Sequence, residues 1–311
     1  MNIHAHPTNI LSFDVEHWHS ATLLDGTVDS PVDRIETSTQ IVLDVLRRYD
    51  VRATFFIVGK VAEQYPELVS RIADEGHEIA SHGHTHTPLF DLSPDTFERE
   101  LTMSSDAIQE ACGHRPVGFR APNFSVTRKT EWAFEVLESS DYRYDSSVFP
   151  MRTPMYGVSN APLRPYHVPG NDPFRSYHVP GNAPFRPPLS AMPATDLVEY
   201  PLAVTDTPAR LPVAGGFYAR LLPIRLIEWG IRGLNRRGIP ATIYFHPWEF
   251  NPAVRTPEPS LPKRFVSFHG IEGTAAKLER LLRTFEFGTI RDELDASEGN
   301  DLQTTATEEY A

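Results

Sequence analysis

The sequence predicts an α/β protein built around a mostly parallel sheet. Short apolar segments of strand length alternate with amphipathic segments of helix length over much of the 311 residues. Polar side chains follow the apolar segments where strands should end, as in α/β barrels and in open doubly wound sheets. These two observations indicate the class, but the residues alone leave the choice between a barrel and an open sheet undecided.

Strands and helices alternate regularly in the first half of the chain. The predicted strands, each a short apolar run, are 10–15, 53–58, 78–81, 116–120 and 142–146. The predicted helices, with apolar residues near helical spacing, are 33–49, 61–75, 93–111 and 129–139. Gly76 is a typical helix stop, and Ser93 followed by Pro94 is a typical helix start.

The alternation stops between residues 151 and 195, where high proline content predicts an extended surface insertion. The insertion contains a tandem repeat with a period of eleven residues, at 166–175 and 177–186. The repeat offers aromatic and imidazole side chains for a substrate-binding rim: Tyr166, His167, Tyr177 and His178.

Regular structure resumes after the insertion. The predicted elements are strand 197–204, helix 221–237, strand 241–245, helix 274–283 and a short strand near residue 289. We therefore expect a single domain over residues 1–291. Residues 292–311 are acidic and polar, and they predict a disordered tail.

Composition limits the partners and the compartment. The formal net charge is -12 and no basic stripe is present, which argues against a duplex nucleic acid partner. No apolar run reaches the roughly 18 residues of a membrane span, and no signal-peptide pattern begins the chain. Cys112 is the single cysteine, so an internal disulfide is excluded. We expect a soluble, cytoplasmic protein; the sequence does not indicate its oligomeric state.

Two segments carry the side chains of a metal site. His82 and His86 are four residues apart and follow the third predicted strand, while Asp14 and Glu16 lie at the end of the first. Imidazole plus carboxylate is the usual ligand set for a zinc-like ion, and an open position on such an ion activates water. The sequence thus predicts a metal-dependent hydrolase, with His84 pointing away from the ion.

The two carboxylates suit different tasks. One can bind the metal while the other takes a proton from the attacking water. We expect the backbone to turn at the end of the first strand so that Asp14 and Glu16 reach the same ion. Each carboxylate taken alone also fits a capping or surface role.

Three further polar residues follow predicted strands. Arg120 could clamp a carboxylate through two hydrogen bonds and keep it ionised. His246 could protonate a leaving amine, because the pKa of histidine lies near working pH. Asp145 could orient such a histidine or could cap a turn.

In their order along the chain, these segments resemble the NodB-homology polysaccharide deacetylases, which are carbohydrate esterase family four. The resemblance covers roughly residues 8–290 and is strongest to a branch associated with exopolysaccharide and exosortase systems. Its motifs are Ser-Phe-Asp-Val-Glu, Thr-Phe-Phe-Ile-Val-Gly, Ser-His-Gly-His-Thr-His, Phe-Arg-Ala-Pro, Tyr-Asp-Ser-Ser, Gly-Gly-Phe-Tyr and Phe-His-Pro-Trp-Glu. The resemblance implies an incomplete (β/α)7-type barrel with the proline-rich segment as an insertion.

The resemblance also implies a reaction and its partners. The reaction is removal of N-acetyl groups from N-acetylhexosamine units of a polysaccharide or its lipid-linked precursor. The cofactor is a divalent metal ion, with zinc as the expected ion. Carried over by motif, the metal ligands are Glu16, His82 and His86.

Catalytic and substrate-binding roles carry over by the same motifs. Asp14 matches the base, Arg120 its partner, His246 the general acid and Asp145 the group that orients it. Tyr156, Phe217, Tyr218 and Trp248 could form sugar-stacking walls, although aromatic residues at such positions also fit a role in the core. Many members have an aspartate where this chain has Glu16, so either Glu16 or His17 completes the metal shell.

Two other functions remain compatible with the sequence. The same fold and metal could act on a small cyclic amide or ureide, as in allantoinase-like relatives. Alternatively, the chain could be a non-catalytic carbohydrate-binding relative whose site has decayed at Glu16 and His17.

Overall fold

A computed structural model of the chain describes residues 7–20, 24, 26–153, 156–170 and 194–297. A curled sheet runs through them with its strands in the order β6-β7-β5-β4-β3-β2-β1-β8, and β9 lies beside β1. The strands are Asn9–Val15 (β1), Thr54–Ile57 (β2), Glu78–Ser81 (β3), Gly118–Phe119 (β4), Tyr144–Asp145 (β5), Tyr166–Pro169 (β6), Ala194–Glu199 (β7), Thr242–Phe245 (β8) and Phe287–Gly288 (β9). Among these described strands all pairings are parallel except that of β6 with β7. The α/β class is confirmed.

Helices pack against the outer face of the sheet and bury apolar side chains there. They are Ile35–Tyr49 (α1), Gly59–Gln64 (α2), Pro66–Asp74 (α3), Pro94–Cys112 (α4), Trp132–Ser139 (α5), Gly216–Leu221 (α6), Ile224–Asn235 (α7), Leu261–Phe268 (α8) and Ile271–Thr284 (α9). Residues 290–297 form a further helix, α10. Ser93 caps α4 as its sequence predicts, because its hydroxyl accepts the Thr96 N–H.

The two ends of the parallel sheet meet through short bridges. Beyond β7, Leu202 forms an isolated parallel bridge with Thr242 of β8, and the Ala203 N–H donates to the Thr242 carbonyl at 3.0 Å. Further along, Gly215 bridges Tyr244 of the same strand. The ring of strands is therefore joined at this seam without a continuous ladder, and the expected incomplete barrel is confirmed.

Side chains alternate between the barrel interior and the helix layer along each strand. Ile10 of β1 packs inside the barrel with Phe56 and Tyr144. Phe13 points the other way and joins the cluster under the helices. Asp14 has the same parity as Ile10, so it faces the interior at the carboxyl end of β1.

Proline divides two helices that the sequence predicts as continuous. The predicted helix 61–75 is two helices, because Pro66 lacks the N–H that would continue α2 and instead begins α3. The predicted helix 221–237 starts at Ile224, directly after Pro223, and α6 precedes it. The sequence did not predict α8.

The predicted boundary of the acidic tail is wrong by six residues. The helix α10 continues to residue 297 and buries Ile290 and Leu294 in the cluster that contains Phe56 and Tyr200. These two apolar side chains hold the segment against the barrel. Residues 298–311 lie outside the described residues.

The proline-rich insertion contains part of the sheet. Tyr166 and His167 belong to β6, which pairs antiparallel with β7. Part of the predicted surface insertion is therefore an edge strand of the sheet. Tyr177 and His178, from the second copy of the repeat, lie outside the described residues.

Among the helices of the described residues, none combines the length and the apolar character needed to cross a bilayer.

Candidate active site

Three potential metal ligands converge at the carboxyl ends of β1 and β3. Ligand atoms of Glu16, His82 and His86 all lie within 4.8 Å of one another. Glu16 and His82 are buried, and His86 is nearly so. The Nε2 atom of His86 contacts a carboxylate oxygen of Glu16. The structure thus brings together the three residues for which the sequence predicts metal binding.

The orientation of His82 suits it to bind a metal ion. Its Nδ1 atom lies 2.7 Å from the backbone carbonyl of Arg120, which is an acceptor, so Nδ1 carries the proton. The Nε2 atom is therefore left as the unprotonated ligand atom. Burial lowers the pKa of His82 to about 4, which favours the neutral ring that a metal requires.

The loop between the two histidines folds back tightly. Gly83 has φ +73° and His86 has φ +61°, in the left-handed region that non-glycine residues rarely adopt. The carboxylate of Glu100 on α4 accepts the N–H groups of His84 and Thr85 at 2.9 and 2.8 Å. This clamp places His86 beside His82 although the loop is not helical.

The remaining imidazoles of this region face elsewhere. His17 turns its Nδ1 toward Asp33, at 3.6 Å, and lies outside the group of converging ligands. Of the two residues that the sequence left open, Glu16 is therefore the one that lies among the converging side chains. His84 is buried against Gly59 and away from the group, as predicted.

Electrostatics at Glu16 favour the ionised carboxylate. Burial by itself would raise its pKa, but the imidazoles of His86 and His246 hold the pKa well below its usual value. The buried carboxylate and the two imidazoles form a set of three donors, one fewer than the four ligands of a tetrahedral zinc ion. This donor set fits a divalent ion of the zinc type.

Asp14 lies deeper in the barrel and is held by Arg120. The guanidinium donates from Nη1 to Asp14 Oδ1 at 2.7 Å and to the Ser12 hydroxyl at 2.9 Å. Its other nitrogens donate to the carbonyl and the hydroxyl of Ser146, both at 2.9 Å. Arg120 also lies over the ring of Phe56, 4.0 Å from its centroid. Arg120 therefore contacts Asp14 as predicted, but through one hydrogen bond instead of two, because its other donors bond to Ser12 and Ser146.

One geometric expectation for the two carboxylates was wrong. Asp14 and Glu16 are two residues apart, so they lie on the same side of an extended chain and no turn is needed. Asp14 sits one step deeper, beside Arg120, and Glu16 sits nearer the mouth, beside the imidazoles.

His246 faces the metal ligands from the end of β8. Its Nε2 atom lies 3.7 Å from Glu16, and its Nδ1 atom lies 3.2 Å from Glu249. Burial lowers the pKa of His246, but Glu16 and Glu249 outweigh it and raise the pKa to about 9. His246, for which the sequence predicts the role of general acid, thus lies at the mouth on the strand next to that of Asp14.

Glu249, rather than Asp145, orients His246. Burial would raise the pKa of Glu249, but Arg220 and His246 lower it to about 2. Arg220 donates to Glu249 at 2.7 Å and is itself held by the carbonyls of Val266 and His269 at the end of α8. The sequence offered a signal for this pair, because Glu249 follows His246 by three residues.

The role predicted for Asp145 was wrong for a reason of strand parity. Its neighbours Tyr144 and Ser146 face the barrel interior, so Asp145 faces outward into the helix layer. There it accepts a hydrogen bond from Ser147 and meets Glu199 of β7. Both carboxyls are fully buried, and burial raises the pKa of Asp145 to about 6 and that of Glu199 well above its usual value.

The four predicted sugar-stacking residues have different surroundings. Trp248 is buried, stacks on His246 with ring centroids 5.3 Å apart, and donates to Glu16 at 3.4 Å. Tyr156 is close to Tyr218, and burial raises its pKa to about 12. Phe217 packs on Phe265 of α8. Contact of these rings with a sugar stays a prediction.

The sequence did not identify Glu249, Glu100 or Tyr244 as residues of the site. Glu249 and Glu100 position the two histidine segments, and Tyr244 packs edge-on against His246 with centroids 5.6 Å apart. Tyr244 has the same strand parity as His246, which is the signal that could have identified it.

Two protein-family models match successive parts of the chain, and the boundary between them falls within β5. A model for polysaccharide deacetylases matches residues 22–144, and a model for a domain of unknown function, DUF3473, matches residues 146–295. His82, His86 and Arg120 lie in the first match, whereas Arg220, His246 and Glu249 lie in the second. The strands of both matches form one sheet, and both contribute to one site.

Curated relatives match a part of the chain. A peptidoglycan-N-acetylglucosamine deacetylase of Bacillus cereus is 33% identical over 98 residues, which cover 31% of this chain and 36% of the relative. A chitooligosaccharide deacetylase of a Bradyrhizobium strain is 42% identical over 103 residues, which cover 33% and 44%. The matches thus span less than half the length of these two relatives.

Solved structures extend the likeness to the whole fold. A protein of Mycobacterium smegmatis described as a polysaccharide deacetylase superposes with a TM-score of 0.61 at 18% identity. The superposition covers 97% of this chain and 94% of that protein. At this identity the likeness shows a shared fold.

Proposed function

We propose that this chain, whose residues 22–144 carry a polysaccharide deacetylase domain, is a metal-dependent hydrolase that removes N-acetyl groups from N-acetylhexosamine units. The observation that carries the proposal is the placement of a held base and a held acid around one set of ligands. Arg120 holds Asp14, two residues before Glu16, and Glu249 holds His246, whose Nε2 atom lies 3.7 Å from Glu16. Amide hydrolysis requires this pair of proton-transferring groups.

The ligands support metal dependence. Glu16, His82 and His86 would hold a divalent ion, and we propose zinc because the set contains two imidazoles and one carboxylate. Such an ion supplies Lewis-acid polarisation of the amide carbonyl and makes a nearby water more acidic. The decayed-site alternative fits poorly, since Glu16 lies within the converging group.

The chain's own residues account for the proton transfers. Asp14, held in place by Arg120, is positioned to take a proton from the attacking water. Water adds to the acetyl carbonyl carbon, and the carbon–nitrogen bond then breaks. His246, positioned through Nδ1 by Glu249, is placed to give a proton from Nε2 to the departing sugar nitrogen. The products are acetate and the free amino sugar.

The class of polymer is part of the proposal. The two relatives named above act, by their names, on peptidoglycan N-acetylglucosamine and on chitooligosaccharides. For this chain we propose an N-acetylated exopolysaccharide or its lipid-linked precursor as substrate. Action in the cytoplasm, before export of the polymer, stays a prediction that cell fractionation would check.

Metal analysis combined with acetate release tests the function. Purified protein loaded with Zn²⁺ is expected to retain about one ion per chain and to release acetate from N-acetylglucosamine oligomers. Chelation and the substitution His82→Ala should abolish both properties, whereas His114→Ala, at an exposed histidine outside the site, should change neither. A zinc-loaded protein inert toward every N-acetyl glycan, or active only on allantoin, would overturn the proposal.

A further inference from the structure

A cavity lies away from the active site, between α7 and the segment that follows β7. Its volume is about 270 Å³. The residues that shape it are Thr205, Thr207, Trp229, Gly233, Arg236 and Arg237. None of these residues belongs to the catalytic machinery described above.

Trp229 presents an unoccupied ring face to this cavity. The side chain is 46% exposed, although Ile227 and Ile231 on the same helix are buried. Among the described residues, the indole stacks on no ring or guanidinium and its N–H has no hydrogen-bond partner. A tryptophan that is apolar on its face and polar at its edge suits a ligand with the same mixed character.

Two glycines of α7 give the cavity its shape. A Cβ at Gly230 would lie 2.8 Å from Val213, so glycine lets the helix approach the neighbouring segment closely. A Cβ at Gly233 would meet nothing within 4 Å, so this position opens onto free space. Gly233 is four residues after Trp229 and therefore lies on the same face of the helix. Helices disfavour glycine, yet here it preserves the space beside the indole.

Polar groups surround the indole. Arg237 pairs with Asp206 at the rim, and the guanidinium of Arg236 has no ion-pair partner among the described residues. The hydroxyls of Thr205 and Thr207 lie 2.9 Å apart. A planar guanidinium or carboxylate group can form two parallel hydrogen bonds, and two neighbouring hydroxyls of a sugar ring can pair with such a group. Together with a flat aromatic face, they match the polar rim and the apolar face of a pyranose ring.

The cavity and the catalytic mouth lie toward opposite ends of β8. Thr205 follows Ala203, which bonds to Thr242 at the start of that strand, while His246 follows the end of it. Four residues of strand span about 13 Å. We propose that this cavity is a second carbohydrate subsite that binds one pyranose unit of a glycan and so retains a polymer at the surface. Binding at this subsite does not depend on the proposed hydrolysis.

Filling the cavity with a side chain tests the subsite, and the same substitution at another open helical position is the matched control. The substitution Gly233→Leu places a side chain in the open space, and Gly273→Leu makes the same change at an equally open position of α9. Both are made in full-length protein carrying His82→Ala, so that oligomers are not consumed. The probes for calorimetric titration are an N-acetylglucosamine tetramer, a uronic acid tetramer and inorganic phosphate.

We expect a tetramer-binding event that Gly233→Leu and Trp229→Ala weaken about tenfold or more and that Gly273→Leu leaves unchanged. Equal tetramer binding in all variants would overturn the subsite. If Gly233→Leu weakened the binding of phosphate but not of the tetramers, the subsite would also be overturned and the cavity would be an anion site. Acetate release, measured separately without His82→Ala, decides the proposed function independently of these outcomes.

Discussion

The guanidinium of Arg120 donates to Asp14 at 2.7 Å, and both side chains are shielded from solvent. The same guanidinium bonds to Ser12 and Ser146, so it joins three strands of the barrel around the base. A lysine would keep the charge but not the planar set of donors. We predict that Arg120→Lys lowers the rate of acetate release about 100-fold and the free energy of unfolding by about 3 kcal/mol.

Steady-state kinetics and urea unfolding check this prediction. The matched control is Arg115→Lys, because Arg115 pairs with Asp106 at the surface and both side chains are more than half exposed. An exposed pair contributes at most about 1 kcal/mol, so this variant should resemble the wild type. Wild-type activity in Arg120→Lys would show that Asp14 does not need the clamp.

The convergence of the metal ligands could be predicted from the sequence because it follows from topology. Glu16 and His82 come after parallel strands that are separated by a single strand, and the carboxyl ends of such strands meet at one rim. The spacing of four residues between His82 and His86 then predicted His86 as the third ligand. The clamp by Glu100 could not be predicted, because it depends on how α4 packs against the loop.

The error at Asp145 has a different origin. β5 is only two residues long, so the sequence contains no alternation that would reveal which of Tyr144, Asp145 and Ser146 faces the interior. Asp145 lies at the end of a predicted strand and Glu249 does not, so the sequence favoured Asp145 as the partner of His246. In the structure, Glu249 lies in the turn that His246 itself begins.

Glu100 is predicted to control metal affinity without touching the ion. Its carboxylate accepts two N–H groups and the Thr85 hydroxyl from the loop that carries His86. Glu100→Gln removes the charge and one acceptor, so the loop should hold His86 less firmly. We expect zinc affinity to fall about tenfold, as measured by competition with a chromophoric chelator. Glu98→Gln, on the exposed side of the same helix, should keep the wild-type affinity; an equal loss in both variants would point to a general effect on α4.

Glu249 is predicted to act on turnover through His246. The substitution Glu249→Gln leaves Arg220 without its charged partner and His246 without its carboxylate. We expect kcat to fall about 100-fold with little change in KM, because the proton donor is mispositioned while the metal ligands remain. Glu228→Gln is the control, since Glu228 is also buried and pairs with an arginine outside the site, although that arginine, Arg280, is 45% exposed. If both variants lost stability but neither lost kcat, Glu249 would have a structural role alone.

The buried pair of Asp145 and Glu199 is predicted to make stability depend on pH. One oxygen of each carboxyl is bonded, to the Ser147 hydroxyl and to the Val148 N–H, while the others have no donor among the described residues and meet each other. Such a pair must share a proton, and burial accordingly raises the pKa of Asp145 to about 6 and that of Glu199 further.

Between the unfolded pKa near 4 and these raised values, the folded chain binds more protons than the unfolded chain. The contribution of this pair to stability is therefore present at low pH and is lost as the pH rises through about 6 and beyond.

In Glu199→Gln the amide can donate to Asp145 at any pH. We therefore expect the free energy of unfolding of this variant to exceed that of the wild type by about 2 kcal/mol at pH 8 and by much less at pH 5. Urea unfolding of both proteins at the two pH values, with chelator present, measures the difference, and an identical pH dependence in both would show that the pair does not share a proton.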